Sequence, residues 1–164
     1  MVEEAQEHDR GRTCRLIYRS QTSWDLLSNE TLLDLAQTSA KNNGEKGISG
    51  LLLLSGEAFL QVLEGPVDEV NDLYLKIAQD PRHGSLRLLT YEQITHPLFA
   101  EWSMHVVDLN DLPMAQREFL AGKYPSEDGS IAIPEEDRLA FSLLLDARQV
   151  TLSETERSAG SVSA

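Results

Sequence analysis

The chain has 164 residues, of which 41% are hydrophobic and 25% are charged, and this composition is typical of a globular domain with a filled core. Its length suits one domain of about 100–150 residues with some additional chain. The net charge is −13, from 27 acidic and 14 basic residues that do not cluster, so binding to nucleic acid is not expected. No apolar stretch approaches the roughly 20 residues of a membrane span, so no membrane partner is expected.

Cysteine and histidine usage excludes further kinds of site. Cys14 is the single cysteine, which excludes an internal disulfide and a cysteine-based metal cluster. His8 lies in the predicted tail, and His96 and His105 lack ligand spacing with any carboxylate pair, so no metal site is predicted. The first twelve residues are polar and acidic, without the apolar segment of a secretion signal, and this favours a cytoplasmic location.

The first predicted elements are a strand and a helix. Residues 14–20 alternate as a strand does, with Cys14, Leu16, Tyr18 and Ser20 on one face. After a polar loop, Ser28 or Asn29 is a candidate N-cap for a helix. The apolar stripe of this helix is Leu32, Leu35, Ala36 and Ala40. The helix is predicted to stop at Asn42-Asn43-Gly44, because Asn and Gly tolerate the left-handed cap conformation.

A hairpin and a second helix follow. Residues 48–54 and 58–64 are predicted strands that are apolar on both faces, which indicates a sheet covered on both sides. Gly65-Pro66 begins a helix that ends before Pro81. Its apolar stripe is Val67, Val70, Leu73, Tyr74, Ile77 and Ala78. With strands at 86–91 and 104–107, the order predicts an α+β, ferredoxin-like βαββαββ fold with a five-stranded mixed sheet and two helices on one face.

The remainder of the chain is predicted to cover the other face of the sheet. Residues 113–120 and 134–150 both have helical patterns, and the second carries an apolar stripe. The predicted organisation is a disordered tail over 1–12, a main domain over 13–108 and a helical cap over 109–150. A Ser-rich, disordered tail is predicted over 151–164.

Two polar residues stand out on strands that are otherwise apolar. Gln61 shares a strand face with Phe59 and Leu63, and burying its amide without partners costs about 1–3 kcal/mol. Tyr18 has the same orientation on a neighbouring strand, and its hydroxyl needs one partner, which Gln61 could supply. Taken singly, each is better explained as an ordinary core residue that backbone, water or packing satisfies.

Two further features have both a structural and a functional explanation. Asn42-Asn43 is a plain helix stop, or a pair of carboxamides that bind both a carbonyl and an N–H of a ring. Trp102 and Met104 are predicted to share a face as the chain enters the last strand. They are either ordinary packing residues or residues that change places beside a rearranging hydrogen bond, since Met is conformationally adaptable.

Several short segments lie along residues 14–107: LIYRS at 16–20, Asn42-Asn43, GISGLL at 47–52, AFLQVLEG at 58–65, DPRH at 80–83, Phe99 and WSM at 102–104. Together they resemble the BLUF family, whose members sense blue light using FAD. The segment after residue 108 resembles the two-helix cap of the short members of the family.

The resemblance implies that FAD lies between the two helices and over the sheet. Asn43 would then bond the polar edge of the flavin ring, and Asn42 would make a second polar contact. Leu35 and Ile77 would sandwich the ring. The polar end of the pocket would be formed by Lys76, Asp80, Arg82 and His83.

The resemblance also implies the photochemistry. Tyr18 would give an electron and then a proton, and Gln61 would relay that proton and rearrange. Ser20, Trp102 and Met104 would pass the change to the last strand and the cap. No substrate is converted, so an enzyme is not expected. The expected partners are the flavin, a downstream signalling protein and further copies of the chain in a dimer or larger assembly.

Two other functions remain open. The chain could be the sensor module of a light-regulated nucleotide cyclase or cyclic-dinucleotide phosphodiesterase, acting on an enzyme in trans. It could also be a ferredoxin-like binding domain without a flavin. A yellow protein with a reversible spectral shift in blue light distinguishes the last of these from a photoreceptor.

Overall fold

A computed structural model describes residues 12–21, 29–81 and 84–162 of the chain. Within these residues the elements follow the predicted order. The strands are β1 (Thr13–Gln21), β2 (Ser49–Ser55), β3 (Ala58–Pro66), β4 (Gly84–Ile94) and β5 (His105–Asp108). The helices are α1 (Asn29–Lys46), α2 (Val67–Gln79), α3 (Met114–Lys123) and α4 (Asp137–Val162), with a short 3-10 turn at Leu109–Asp111.

The strands form one mixed sheet in the order β4-β1-β3-β2-β5. All neighbours are antiparallel except β2 and β5, which run parallel. β2 and β3 are joined by a two-residue turn at Gly56-Glu57, since Ser55 pairs with Ala58. The predicted α+β, ferredoxin-like fold with a five-stranded mixed sheet is therefore confirmed, and β1 and β3 lie in its interior.

Each face of the sheet has its own apolar core. The helix face, covered by α1 and α2, contains Cys14, Leu16, Tyr18, Leu52, Leu63 and Val70. The cap face, covered by α3 and α4, contains Ile17, Leu53, Val62, Leu120, Leu143 and Leu144. Successive residues of a strand point to opposite faces, so each strand contributes to both cores. This explains why β2 and β3 are apolar throughout.

Helix α1 ends later than predicted. It continues through Gly44 to Lys46, and the residue after it, Gly47, has a φ of 73°. The N–H of Gly47 bonds to the Gly44 carbonyl at 3.3 Å, and the N–H of Ile48 bonds to the Asn43 carbonyl at 2.8 Å. These two bonds form a Schellman cap, in which a left-handed glycine satisfies the last carbonyls. The true stop signal is therefore Gly47, and Asn42-Asn43 lies inside the last turns of the helix.

Helix α2 follows β3 directly. Pro66 is its N-cap residue. Asp68 and Glu69 lie in the first turn, where their negative charges interact favourably with the positive end of the helix dipole. The helix ends at Gln79, before Pro81, as predicted. The Val67 N–H bonds to the carbonyl of Arg12 at 3.2 Å. Apart from Arg12, the predicted tail over 1–12 lies outside the described residues.

Helix α4 differs from the prediction at its C-terminal end. A loose segment was predicted from residue 151, but the helix runs on to Val162. Thr151 remains tied to the helix, because its hydroxyl donates to the Ala147 carbonyl at 2.9 Å. Once the packed part of a helix has formed, each added residue gains one backbone hydrogen bond at little further cost. Ser-rich composition alone was therefore a poor indicator of a helix end.

The cap of α1 generates a stability prediction. Gly47→Ala places a side chain at a φ of 73°, and we expect a loss of about 1–2 kcal/mol in the free energy of unfolding, measured by urea denaturation. Gly122→Ala is the matched control, because Gly122 lies on exposed helix α3 with nothing near its missing Cβ. The control should gain about 0.5–1 kcal/mol. An unchanged free energy for Gly47→Ala contradicts the cap assignment.

Candidate functional site

Tyr18 and Gln61 face each other across the two interior strands. They are directly paired in the antiparallel register of β1 and β3, and both point to the helix face. Tyr18 is 1% exposed and Gln61 is 7% exposed. The phenol Oη of Tyr18 donates a hydrogen bond to Oε1 of Gln61. The two polar residues that the sequence singles out therefore satisfy each other.

The other end of the Gln61 side chain contacts Met104. The amide Nε2 donates to the sulfur Sδ of Met104 at 3.3 Å. A thioether sulfur accepts weakly and cannot donate, so this contact favours one orientation of the amide over the other. Tyr18, Gln61 and Met104 thus form a continuous chain of contacts across β1, β3 and the entrance to β5.

The surroundings of Tyr18 keep its phenol protonated. Burial raises the pKa of Tyr18 well above its ordinary value, and the nearby acidic groups Tyr74 and Asp80 raise it further. The ring of Tyr74, on α2, lies 5.8 Å from that of Tyr18 and is tilted by 58°. An ionised phenolate is disfavoured in such a site. Tyr18 consequently holds its proton in the resting state and presents it to Gln61.

Asn43 is the second buried carboxamide at the helix face. It lies near the end of α1, and its Nδ2 donates to the carbonyl of Ser103 at 3.2 Å. The side chain therefore joins α1 to the segment before β5. Its neighbour Asn42 is exposed on the same helix.

The remaining predicted flavin contacts are spread around this face. Ile77 is half-buried and packs against the helix-face core, Asp80 is half-buried after α2, and Lys76 is exposed. Leu35 belongs to α1, but its side chain is outside the described part of the structure. Arg82 and His83 also lie outside the described residues. Ser20 is fully buried, two residues from Tyr18 on the same side of β1.

Trp102 does not share a face with Met104, contrary to the prediction. Met104 belongs to the helix-face core, whereas Trp102 packs against the cap-face core and stacks on His105 at 5.0 Å. The prediction assumed strand alternation through residues 102–104. The strand begins only at His105, and Ser103 forms a bend. Alternation therefore does not apply, and the two side chains diverge.

Sequence reasoning missed two features of the site. Tyr74 was assigned only to the apolar stripe of α2, and its phenol gave no separate signal. Glu64 was read as the last residue of a strand, yet it is fully buried and paired with Arg15. A carboxylate in the apolar run FLQVLEG was the available signal, because a buried carboxylate requires partners.

A separate cleft of about 440 Å³ opens near the end of α1. It lies between Gly44, Gly47 and the loop residues Pro97 and Ser103, and none of the polar groups of the Tyr18 site lines it.

Among the described residues, no cluster of three His, Cys, Asp or Glu side chains could hold a metal ion. No helix in the described part of the chain is long and apolar enough to cross a membrane.

The family of this chain follows from comparison with known proteins. The family model for "Sensors of blue-light using FAD" matches residues 13–105, which include β1 to the start of β5 and the whole Tyr18 site. The chain belongs to the BLUF family of blue-light sensors, and its cofactor is FAD.

Individual relatives agree with this assignment. A photoactivated adenylate cyclase subunit alpha from Euglena gracilis is 36% identical over 91 residues, which are 55% of this chain and 9% of the relative. The dark-state structure of BlrB, a BLUF protein, matches at a TM-score of 0.64 and 27% identity, covering 85% of this chain and 98% of that one. The photo-activated state of BlsA matches at 0.64 and 30% identity, covering 81% and 94%.

The side chains described on the helix face have the chemical character that a flavin site needs. A flavin ring needs flat apolar surfaces above and below it and paired donors and acceptors at its carbonyl end. Half-buried Ile77, Leu73 and Tyr74 of α2 supply apolar surface beside the sheet. The carboxamides of Asn43 and Gln61 each carry both a donor and an acceptor. The donor set of this face therefore matches the chemistry of the cofactor.

His105 generates a prediction on pH. Burial lowers the pKa of His105 below its ordinary value of 6.5, so the unfolded chain binds this proton more readily than the folded one. The free energy of unfolding should therefore be highest well above pH 6.5 and should decrease as the pH falls through that value, because the unfolded chain then takes up the proton first. Urea denaturation of the chain between pH 7.5 and 5.5, values chosen to lie about one unit on each side of a histidine pKa, measures this.

The control for this prediction uses two substitutions. His105→Gln should flatten the pH dependence, while His96→Gln, at an exposed position, should leave the wild-type slope unchanged. An equal slope in wild type and His105→Gln would show that another group causes it.

Proposed function

We propose that this chain is a blue-light photoreceptor in which Tyr18 and Gln61 carry the photochemistry and the output is a protein–protein contact. The observation that carries this proposal is the buried chain of contacts from Tyr18 through Gln61 to Met104. The membership of the BLUF family establishes the light-sensing function and the cofactor. The residue roles below extend it.

Tyr18 is the proposed electron donor. Bound FAD supplies the absorption of blue light and an excited state that accepts an electron. On losing an electron, the Tyr18 phenol becomes far more acidic than its ordinary pKa of about 10. Its proton then moves along the existing hydrogen bond to Oε1 of Gln61. When the electron and the proton return, Tyr18 is restored and no net chemistry has occurred.

Gln61 is proposed to hold the light-induced change after the electron and the proton have returned to Tyr18. The proton allows its amide to tautomerise or to rotate, and rotation exchanges the nitrogen and oxygen ends relative to their neighbours. An oxygen facing Met104 Sδ would make no hydrogen bond, because the sulfur has no hydrogen to donate. The rearrangement therefore removes the present contact of 3.3 Å between Gln61 and Met104. Met104 is placed to respond to it.

Other residues are proposed to hold the flavin. Asn43 would bond the polar edge of the ring, and Leu35 and Ile77 would pack on its faces. The proposed polar contacts further out are Asn42, Lys76, Asp80, Arg82 and His83. These assignments rest on position along the family motif, supported by the burial of Asn43 and the packing of Ile77.

The proposed signal route runs from Met104 to the cap. Trp102 packs against the cap-face core, and Ser20 lies beside Tyr18 on β1. Glu101, next to Trp102, forms an ion pair with Arg148 of α4. A displacement of Met104 would therefore be transmitted through residues 101–104 to α4.

The proposed output is binding to a downstream protein, with the chain itself forming a dimer or larger assembly in the cytoplasm. The chain covers nearly all of BlrB and BlsA, which supports a sensor of this short type over residues 13–108 with a cap after it. A second candidate is a sensor that acts in trans on a nucleotide cyclase or phosphodiesterase, supported by the similarity to the cyclase subunit. In neither case is the chain itself proposed to be an enzyme.

The photochemical role of Tyr18 is tested by Tyr18→Phe. The ring packing is retained, so the variant should still bind FAD and purify yellow. Without the phenol proton, Gln61 cannot rearrange, and the reversible red shift in blue light should be lost. Absorption spectra before and after illumination measure this.

The matched control is Tyr124→Phe. Tyr124 is also buried, but on the cap face, where its hydroxyl donates to Asp146 at 2.7 Å. This variant should keep both the flavin and the red shift. A full red shift in Tyr18→Phe would remove Tyr18 as the donor.

The absence of catalysis is tested on the same purified chain. Under blue light we expect neither formation of cyclic nucleotide from ATP or GTP nor hydrolysis of a cyclic dinucleotide, because the photochemistry leaves no substrate bond changed. Product analysis by chromatography, in darkness and in light, measures this. Light-dependent turnover that persists after further purification would show that the chain is an enzyme.

A further inference from the structure

Glu64 is a buried carboxylate that the proposed photochemistry does not use. It lies on β3 three residues after Gln61, and its side chain points to the opposite face of the sheet. It is 0% exposed. Removing a charge from water is costly unless it gains strong partners, so the contacts of this carboxylate indicate what it holds in place.

The partners of Glu64 come from two distant parts of the chain. Its Oε2 accepts a hydrogen bond from Arg15 Nε at 2.8 Å, across the β1–β3 pair. Its Oε1 accepts from the backbone N–H of Leu98 at 2.9 Å and of Phe99 at 2.6 Å. Arg15 in turn bonds Glu92 at 2.9 Å and lies 5.1 Å from the ring of Phe141 in α4. The carboxylate therefore ties residues 98–99 to the interior of the sheet.

Residues 98–99 lie in the connection between β4 and β5, which carries Met104 to Gln61. The far end of this connection is also held, because the N–H of Gly50 donates to the Trp102 carbonyl at 3.0 Å. Gly50 has no side chain, and a Cβ there would lie 2.1 Å from the Val62 carbonyl oxygen and 3.1 Å from the Met104 methyl group. The segment 98–104 is thus fixed at its start by Glu64 and near its end by Gly50 and Asn43, and Met104 contacts Gln61.

We propose that Glu64 is a positioning residue of the photocycle. By holding the N–H groups of Leu98 and Phe99, it sets the place of Met104 and so the ease with which the Gln61 amide turns. This inference rests on the proposed role of Met104 as the contact of Gln61. Glu64 acts through Met104 and does not itself touch Tyr18, Gln61 or the flavin face.

Glu64→Gln is the informative substitution. An amide of the same size has a single oxygen, so it cannot accept from Arg15 and from both backbone N–H groups. The segment 98–104 should become more mobile, and Met104 should restrict the rotation of the Gln61 amide less. The amide then turns more readily in both directions, and dark recovery of the red-shifted state should accelerate by about tenfold, which corresponds to about 1.4 kcal/mol in the barrier.

Glu92→Gln is the matched control. It makes the same chemical change at the other carboxylate that Arg15 bonds, but Glu92 has a side chain that is 51% exposed and is not the acceptor for Leu98 or Phe99. Its recovery rate should stay within about twofold of wild type, because an exposed ion pair contributes little.

Two NMR measurements report on position without using the photocycle. In the dark, Glu64→Gln should speed hydrogen exchange at the amides of Leu98 and Phe99, whereas Glu92→Gln should not. The ε-methyl signal of Met104, one of only three methionines in the chain, should shift toward an averaged position. Unchanged exchange together with an unchanged methyl signal would overturn the proposal.

A double-mutant cycle separates positioning from general destabilisation. In a Met104→Ala background, Glu64→Gln should change the recovery rate by less than about twofold, because the side chain through which it acts is gone. An equal acceleration with and without Met104 would overturn the proposal. If Glu64→Gln does not fold, Glu64→Asp keeps the charge but shortens the reach, and it should show the same changes in smaller measure.

The outcome is distinguishable from failure of the proposed function. If wild type shows no red shift, or Met104→Ala alone has wild-type recovery, the role of Met104 fails and the inference falls with it. If wild type cycles and Met104→Ala alters recovery while Glu64→Gln does not, the photochemistry stands and the positioning role of Glu64 is wrong.

Discussion

The hydrogen bond between Tyr18 and Gln61 is the interaction on which the site depends. Both residues occupy interior strands that are paired on each side, so their backbones cannot shift without breaking two ladders. A slip of one residue in either strand would move its side chain to the cap face. The same register that builds the sheet therefore brings a phenol and a carboxamide together in a dry environment. There each satisfies the other, and the high pKa of Tyr18 keeps its proton available to Gln61.

The alternation of β3 gives this strand two separate tasks. Gln61 points to the helix face, where the flavin is proposed to bind, and Glu64 points to the cap face, where it binds the start of the segment 98–104. That segment passes from the cap face, where Phe99 is buried, to the helix face, where Met104 contacts Gln61. β3 thus positions both the Gln61 amide and, through Glu64 and the segment 98–104, the Met104 side chain that contacts this amide. Because Met104 is held in a fixed position, a change in the orientation of the Gln61 amide changes its contact with Met104.

The sequence predicts the elements well and the long-range contacts poorly. Periodicity is a local property, so the strands, the hairpin and the two covered faces could be predicted, and the polar outliers Tyr18 and Gln61 marked the site. The end of α1 was misplaced because Asn42-Asn43 and Gly47 are all suitable helix stops, and the choice depends on which carbonyls remain unsatisfied. The direction of Trp102 depends on a bend at Ser103, which no repeat pattern encodes. The partners of Glu64 lie 34, 35 and 49 residues away, beyond any local pattern.

The energy available to the proposed switch limits how it can act on a partner. A single hydrogen bond contributes about 0.5–1.5 kcal/mol, whereas moving a two-state equilibrium from 1:99 to 99:1 needs about 5.5 kcal/mol. The loss of one Gln61–Met104 contact therefore cannot by itself convert the cap completely. It can bias a cap whose two arrangements are already close in energy, and a partner that prefers one arrangement would supply the remainder. The ion pair between Glu101 and Arg148 is a suitable point for such a bias, since it joins α4 to the chain just before Trp102 and Met104. A short sensor of this kind would then act by changing its affinity for a partner, because binding contributes the energy that one amide lacks.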